Sequence, residues 1–362
     1  MYGVGGERTA VYPYNMDFTP ILRELLRRGL LDTDVKLISP PGWGVDGLDA
    51  GEAFGRPQLG ITIESNLRSA LDSVQNLIVA PFISTGTKEA TVLIDNLLDG
   101  HIHLAISKGL NLIDFRKHRG MDSSEISRPH RIYAEERAKE DLRVDVPVVF
   151  ISGVMEQVNK FDTLIAISNG LTQNGYKVCS IGARQYCAAL GMHSFPSFMF
   201  EPIGEVTKIE YFKTFLVDVC KKEKPDVLAI CIPGASVKFN NDFPNGYGIV
   251  NYLVSMSTTP DFSIVCTNSV EDDMSELDDM YLHRFGYSID CLVMSNTRVF
   301  YNHLERELSF ETIDYREVDQ LLQKTKKPDS RIPHLNIFNE EHVEILTKQI
   351  VEKLGQTDGF VV

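Results

Sequence analysis

The chain has 362 residues, 43% of them hydrophobic and 24% charged, enough to bury a full core and long enough for two domains rather than one. Its 36 Lys and Arg against 50 Asp and Glu give a formal net charge of -14, which argues against a general nucleic-acid binder, whose phosphate contacts need clustered cations. No window approaches the roughly 20 apolar residues that cross a bilayer, and the Gly-rich start at 1–9 lacks a signal-peptide core, so a cytoplasmic location with no membrane partner is expected.

The first third alternates strand and helix signals. Residues 9–14 read as a strand, Asp17 as the cap of a helix with apolar positions at Ile21, Leu22, Leu25 and Leu26, and Gly29 as its stop. Residues 35–39, 59–63 and 76–80 read as further strands. Thr87 opens a long helical pattern through Val92, Leu93, Leu97 and Leu98 toward Lys108, and 111–115 is a last strand. Alternation of this kind implies parallel pairing, hence a Rossmann-like α/β domain over 1–115. Charged residues then dominate 116–145, which reads as a solvated linker or exposed helix.

The second domain, 146–362, begins with the apolar strand 146–152. A helix over 161–174, a strand over 176–181 and a longer helix over 205–222 follow, the last with Val206, Ile209, Phe212, Phe215, Leu216 and Val219 on one face. Residues 226–232, 262–267 and 289–294 are near-continuous apolar runs, as expected of strands covered on both faces of a doubly wound, mainly parallel sheet. The six cysteines lie between Cys179 and Cys291, none as Cys-x-x-Cys, and are expected reduced and mostly buried, with no structural metal.

The sharpest chemical pattern is the strand ending Ser152-Gly153, a loop, then Asn159-Lys160-Phe161-Asp162-Thr163 and a helix. Loop and helix-terminus amides attract an anion and a Lys adds a point charge, the arrangement of G-x-x-x-x-G-K-[ST]. Three departures stand out: one extra residue between Gly153 and Lys160, Asn159 in place of the Gly, and Phe161 in place of the Ser or Thr that binds Mg²⁺, with Asp162 and Thr163 as substitutes. A plain strand–loop–helix connection is the competing reading. Two later strands end in Pro233-Gly234, a second phosphate-sensing loop, and in Ser295-Asn296, where an Asn can read a base. Ligands of parallel sheets bind beyond such strand ends.

Other loops compete for a role. Gly42, Trp43, Gly44, Asp46 and Gly47 match G-x-G-x-x-G, and with Asp49 they form either a tight Gly/Pro-rich loop or a ligand cleft. Asn240 and Asn241, with Asp242 and Asn245, form a polar loop after Pro233-Gly234. His101 and His103 fall on a helical pattern, which separates them and argues against a metal pair. Glu271, Asp272, Asp273, Glu276, Asp278 and Asp279 read as the acidic start of a helix rather than an ion site.

Five blocks together carry a family resemblance. Val11-Tyr12-Pro13-Tyr14-Asn15-Met16 with Pro20-Ile21, Pro40-Pro41-Gly42-Trp43-Gly44, Asn159-Lys160-Phe161, His193-Ser194-Phe195-Pro196 and Ile232-Pro233-Gly234 resemble the peptide maturation system proteins of clostridial gene clusters for ribosomally made, modified peptides. More distantly, the second domain resembles the dethiobiotin-synthetase-like branch of P-loop proteins. The resemblance implies a nucleotide-binding accessory protein using ATP or GTP with Mg²⁺, a homodimer, and a precursor peptide or peptide-modifying enzyme as partner. An ATP-dependent ligase or kinase acting on a peptide or small carboxylate, and a scaffold with a vestigial P-loop, are the alternatives.

Overall fold

Apolar runs bounded by turn residues become the strands of two parallel sheets in the computed structural model, which describes residues 7–81, 88–116, 142–268, 274–325 and 332–357. The chain divides into two compact units, Met1–Arg119 with Ala188–Gly191, and Gly120–Cys187 with Met192–Val362. Thr87, the side chains of Val92 and Leu93, most of 116–145, and Glu271, Asp272 and Asp273 lie outside what is described.

In the first unit, β1 (Thr9–Tyr12), β2 (Lys36–Ile38), β3 (Ile63–Glu64), β4 (Asn76–Val79) and β5 (Asn111–Asp114) pair in the order β3-β2-β1-β4-β5. All four pairs are parallel. Helices α1 (Thr19–Arg27), α2 (Leu67–Leu71) and α3 (Lys88–Ser107) connect them. Tyr12, Ile38, Leu77 and Val79 pack against Leu67, Leu71, Leu98 and Ile102 in one apolar cluster. His101 on α3 meets Tyr12 edge-on at 5.1 Å.

Two expectations in this unit need correction. The stretch 59–63 yields only the two-residue β3, because Gly60 turns with φ 73° and the Leu59 and Gly60 amides are held by the Asp49 carboxylate. Asp17 does not cap α1: Phe18 holds the N-cap position, with no side-chain capping bond. Asn15 instead builds the turn that leads into the helix: its Oδ1 accepts from the Asp17 and Phe18 amides at 2.9 and 3.2 Å, and its Nδ2 donates to the Pro13 and Pro81 carbonyls at 2.8 and 3.0 Å. The signal is an Asx turn two positions upstream of Asp17.

The second unit is a seven-stranded sheet in the order β14-β11-β10-β6-β9-β7-β8. Its strands are β6 (Val148–Gly153), β7 (Val178–Gly182), β8 (His193–Ser194), β9 (Val227–Cys231), β10 (Phe262–Thr267), β11 (Cys291–Met294) and β14 (His334–Leu335). Every pair is parallel. The separate hairpin of β12 (Thr297–Asn302) and β13 (Glu307–Thr312) is antiparallel and was not foreseen, because its alternation of exposed and half-buried positions follows no apolar run.

Both faces are covered, so the sheet is doubly wound. Alternate strand residues such as Phe150, Ile230 and Leu292 meet Phe212 and Leu216 of α5 (Glu205–Glu223), Val254 of α6 (Ile249–Ser257) and Tyr281 of α7 (Ser275–Phe285). Helix α4 (Lys160–Gln173) packs on β6, β7 and β9 and against α9 (Glu340–Thr357), while α8 (Tyr315–Thr325) buries Val318 and Leu322 beside Met294. Gly170 permits the α4–α9 approach, since a Cβ there would collide with Thr347. The foreseen face of α5 holds except at Val206, which is 73% exposed. The described cysteines are free, and all but the half-buried Cys220 are buried.

Asn15→Ala strands two amides and two carbonyls of a buried corner, so it should cost about 2–4 kcal/mol, and more than Asp17→Ala. Urea midpoints of the two variants check the order; a larger loss for Asp17→Ala would refute the role of Asn15 in this turn.

Candidate functional site

β6 leaves the sheet at Gly153 and the chain folds back over it at once. A Cβ at Gly153 would come within 2.6 Å of Val158 Cγ2 and 2.9 Å of Lys160 Cδ, so a bare backbone suits this position. Gln157 and Asn159 both adopt φ 58°, the left-handed region that Asn tolerates better than most residues. Here the Gly of the usual motif is replaced by the side chain that costs least. Among the described residues the amides of 155–158 donate to no protein acceptor. The amides of Lys160 and Phe161 at the start of α4 add to them, since a helix start has no internal partners. Successive free amides in a turn of this kind form an anion-binding concavity.

Three strand ends converge on the loop, as the order of motifs implied. Past β9, Ser236 N donates to Gly153 O at 2.8 Å and Val237 N to Val154 O at 3.3 Å, laying residues 233–237 beside the end of β6. From the end of β11, Ser295 Oγ and Asn296 N donate to Asn159 Oδ1 at 2.5 and 3.1 Å. Val154 N reaches Cys266 O of β10 at 2.9 Å. A buried polar network stands behind: Asn251 Nδ2 donates to Ser236 Oγ at 3.1 Å, and Tyr287 OH to Asn251 Oδ1 at 2.7 Å. Ser236, Asn251 and Ser295 were missed by sequence reading, because isolated Ser and Asn carry no motif.

Lys160 is not the exposed, mobile cation that a surface P-loop lysine suggests. It is 9% exposed, and its Nζ donates to the carbonyl of Gly234, which turns with φ 79°. Burial lowers its pKa, opposed by the neighbouring Cys231, Cys266 and Glu156. Burial in turn pushes the Cys266 thiol up to about 12, so that sulfur is no counter-anion near neutrality. No carboxylate makes an ion pair with Lys160 among the described residues.

Other expected roles are also revised. Phe161 is 7% exposed and packs edge-on against Tyr186 at 6.4 Å, so it is a core residue and not a vacant metal-ligand position. Thr163 is fully buried, with its hydroxyl turned back to donate to Asn159 O at 2.9 Å. Asp162 lies 3.4 Å from Asn159 Nδ2. Asn296 is buried and gives its Nδ2 to Ile313 O at 3.2 Å, tying down the end of β13 instead of facing a base. Pro233 and Gly234 do flank Lys160. Asn240 closes a turn on the Asp242 and Phe243 amides, and Asn241 accepts from Lys238 Nζ at 2.6 Å.

A cavity of about 490 Å³ opens beside the loop, also beyond the carboxyl ends of β6, β9 and β10. Val154 and Met155 of the loop line it with Phe239, Leu277 and Met280, and Lys238 and Glu276 supply its charge. The N-terminal candidates form a separate feature. Gly42, Gly44 and Gly47 all turn with positive φ, Trp43 is half-buried and Asp46 exposed, and a 3-10 turn at Glu52–Phe54 follows in place of a helix. Asp49 organises this loop. Its burial is outweighed by the amides of Leu59, Gly51, Glu52 and Gly60, which hold its carboxyl below the usual range.

No family model matches the chain, and no curated protein matches it, so the peptide-maturation resemblance rests on its residue blocks alone. Among solved structures, a DUF1611 family protein from Anabaena variabilis is 11% identical with a TM-score of 0.56, covering 96% of this chain and all of that one. The two share the mixed α/β fold. A LAO/AO transport system kinase is 12% identical over 66% of this chain and 73% of its own, with a TM-score of 0.33. A nucleotide-binding protein in complex with ADP from Archaeoglobus fulgidus is 12% identical over 61% and 91%, with a TM-score of 0.28.

Asn159→Gly keeps the left-handed turn and loses the brace to Ser295 and Asn296, an expected cost of about 1–3 kcal/mol. Asn159→Ala loses both and should cost roughly 1 kcal/mol more. Denaturant midpoints order the pair; equal midpoints would show that the backbone conformation is not strained there.

Proposed function

We propose that the second unit binds the phosphates of a nucleotide in the loop between Gly153 and Lys160. One observation carries this reading: a buried ammonium with a single carbonyl partner among the described residues lies against a loop whose amides at 155–158 have no acceptor among them. Desolvated cations are costly unless paired, and three phosphate oxygens would pair both Lys160 and the amides. The cavity at Val154 and Met155 takes the rest of the ligand.

The donor set does not fit the usual Mg²⁺ of such loops. Phe161 stands where the hydroxyl would be, Thr163 is spent on a carbonyl, and β9 and β10 end in Cys231-Ile232 and Thr267-Asn268 without a carboxylate. The reading is therefore nucleotide binding, with no hydrolytic step assigned. A place beside a peptide-modifying enzyme is part of the proposal only through the sequence blocks given above.

Calorimetry of ATP, ADP and GTP with wild type and Lys160→Met, with and without Mg²⁺, tests it. Binding that is weakened at least about tenfold by the substitution is expected, since charge-assisted hydrogen bonds are worth about 1.5–3 kcal/mol each. Absence of binding to the wild type, or equal affinities, would sink it. Without ligand, Lys160→Met should be the more stable protein by on the order of 1 kcal/mol, because it replaces a buried charge with an apolar chain of similar length. The sign with pH follows from the lowered pKa. Between that value and the ordinary 10.5 the unfolded chain holds the extra proton, so Lys160 favours folding increasingly as pH rises. The stability gap between the two proteins should thus narrow from neutrality to about pH 10 in urea titrations.

A further inference from the structure

At the far edge of the second sheet, three metal-binding side chains from three elements meet away from the phosphate loop. Cys179 of β7, His193 of β8 and Glu223, the last residue of α5, place their donor atoms within 4.8 Å of one another. His193 Nε2 and Glu223 Oε1 are 2.5 Å apart. Cys179 is 2% exposed, whereas the His193 and Glu223 side chains are 29% and 35% exposed, so the group has a buried sulfur and an open mouth. Lys177 Nζ holds the Glu223 backbone carbonyl, and Phe215 meets the His193 ring edge-on at 6.3 Å. Both contacts fix the donors from outside.

One feature speaks against a casual ion pair. Glu223 ends its helix, where a carboxylate faces the negative end of the helix dipole. A divalent cation bound by thiolate, carboxylate and imidazole offsets that, and these are the donor types zinc takes.

We propose that Cys179, His193 and Glu223 bind a zinc ion that clasps β8 to the sheet. Tetrahedral zinc with bonds of about 2.0–2.3 Å sets its ligands about 3.3–3.8 Å apart. The His–Glu pair reaches that by opening by roughly 1 Å from its 2.5 Å separation. Binding displaces the Cys179 thiol proton to solvent. Cys220, one turn before Glu223 on the same face of α5, interacts electrostatically with both Cys179 and Glu223. The mechanical role follows from the topology. β8 is a two-residue edge strand registered only by Ile181 opposite His193 and Gly182 opposite Ser194, so an ion bonded to β7, β8 and α5 fastens a segment that backbone pairing holds lightly.

The test uses the full chain, stripped with chelator and titrated with Zn²⁺ and with Co²⁺ as a coloured substitute. One equivalent per chain, a thiolate-to-cobalt charge-transfer band and a zinc-dependent rise in the thermal midpoint are expected. Cys179→Ser should abolish the band. Because a buried serine can impair folding, His193→Gln at the open mouth provides the second arm. It should weaken zinc by more than the roughly 10- to 100-fold that losing an outer-shell partner costs, and remove the thermal shift. Absence of stoichiometric uptake, a cobalt complex without the band, or affinity unchanged in His193→Gln would overturn the site and leave a His–Glu ion pair beside a core thiol.

Discussion

A lysine ammonium taken out of water is the constraint around which the second unit is arranged. Burial alone would make Lys160 surrender its proton or its position, and one carbonyl does not compensate an ammonium for its lost hydration. The Gly234 carbonyl is nonetheless aimed at it by a left-handed turn that the Pro233-Gly234 pair makes available. Residues 233–237 are kept in place by their bonds to the β6 end and by Asn251 and Tyr287 behind Ser236. The loop that covers Lys160 is kept in place by Asn159, whose side chain reaches the end of β11. Much of the polar interior of the unit thus serves to hold one charge and a set of open amides facing the same space.

That arrangement was partly legible in the chain. Long apolar runs named the central strands, and 262–267 emerges unchanged as β10, because a strand buried on both faces has no other reading over six residues. The order strand–Gly–Lys–helix, with Pro233-Gly234 and Ser295-Asn296 at later strand ends, correctly brought three loops to one place. The short edges escaped notice. β8 and β14 have two residues each, too few for any period, β3 was read too long and too early, and the β12–β13 hairpin is half solvated. The depth of Lys160 and Phe161 was equally invisible, since it depends on Val158 and Tyr186 folding over them.

The Cys–His–Glu cluster shows a different limit. Its members are spaced by 14 and 30 residues, and only the parallel pairing of β7 with β8 and the return of α5 to the start of β9 bring them together. Rules of metal-ligand spacing describe single loops and helices, so they pass over a set assembled by topology. The sequence trace of such a site is indirect: an acid where a helix end favours a base, and a cysteine where the strand would accept valine.

The departures from the standard phosphate motif acquire a common physical sense once their surroundings are known. A Gly before the lysine leaves a left-handed turn free of side chain; Asn159 keeps the turn and uses its amide oxygen to fasten the loop to β11. A Ser or Thr after the lysine would put a hydroxyl toward a metal; Phe161 puts a ring into the core, where it fills space against Tyr186 and Gly182. Each change exchanges adaptability at the ligand for rigidity of the frame. A loop fixed in this way pre-organises its amides, which favours holding an anion, while the metal and the attacking water needed to split a phosphate lose their usual anchor. Restoring the hydroxyl alone would not recover it, because Phe161→Ser opens a cavity at the root of α4, a cost of about 3–5 kcal/mol for loss of a buried ring, before any metal can bind.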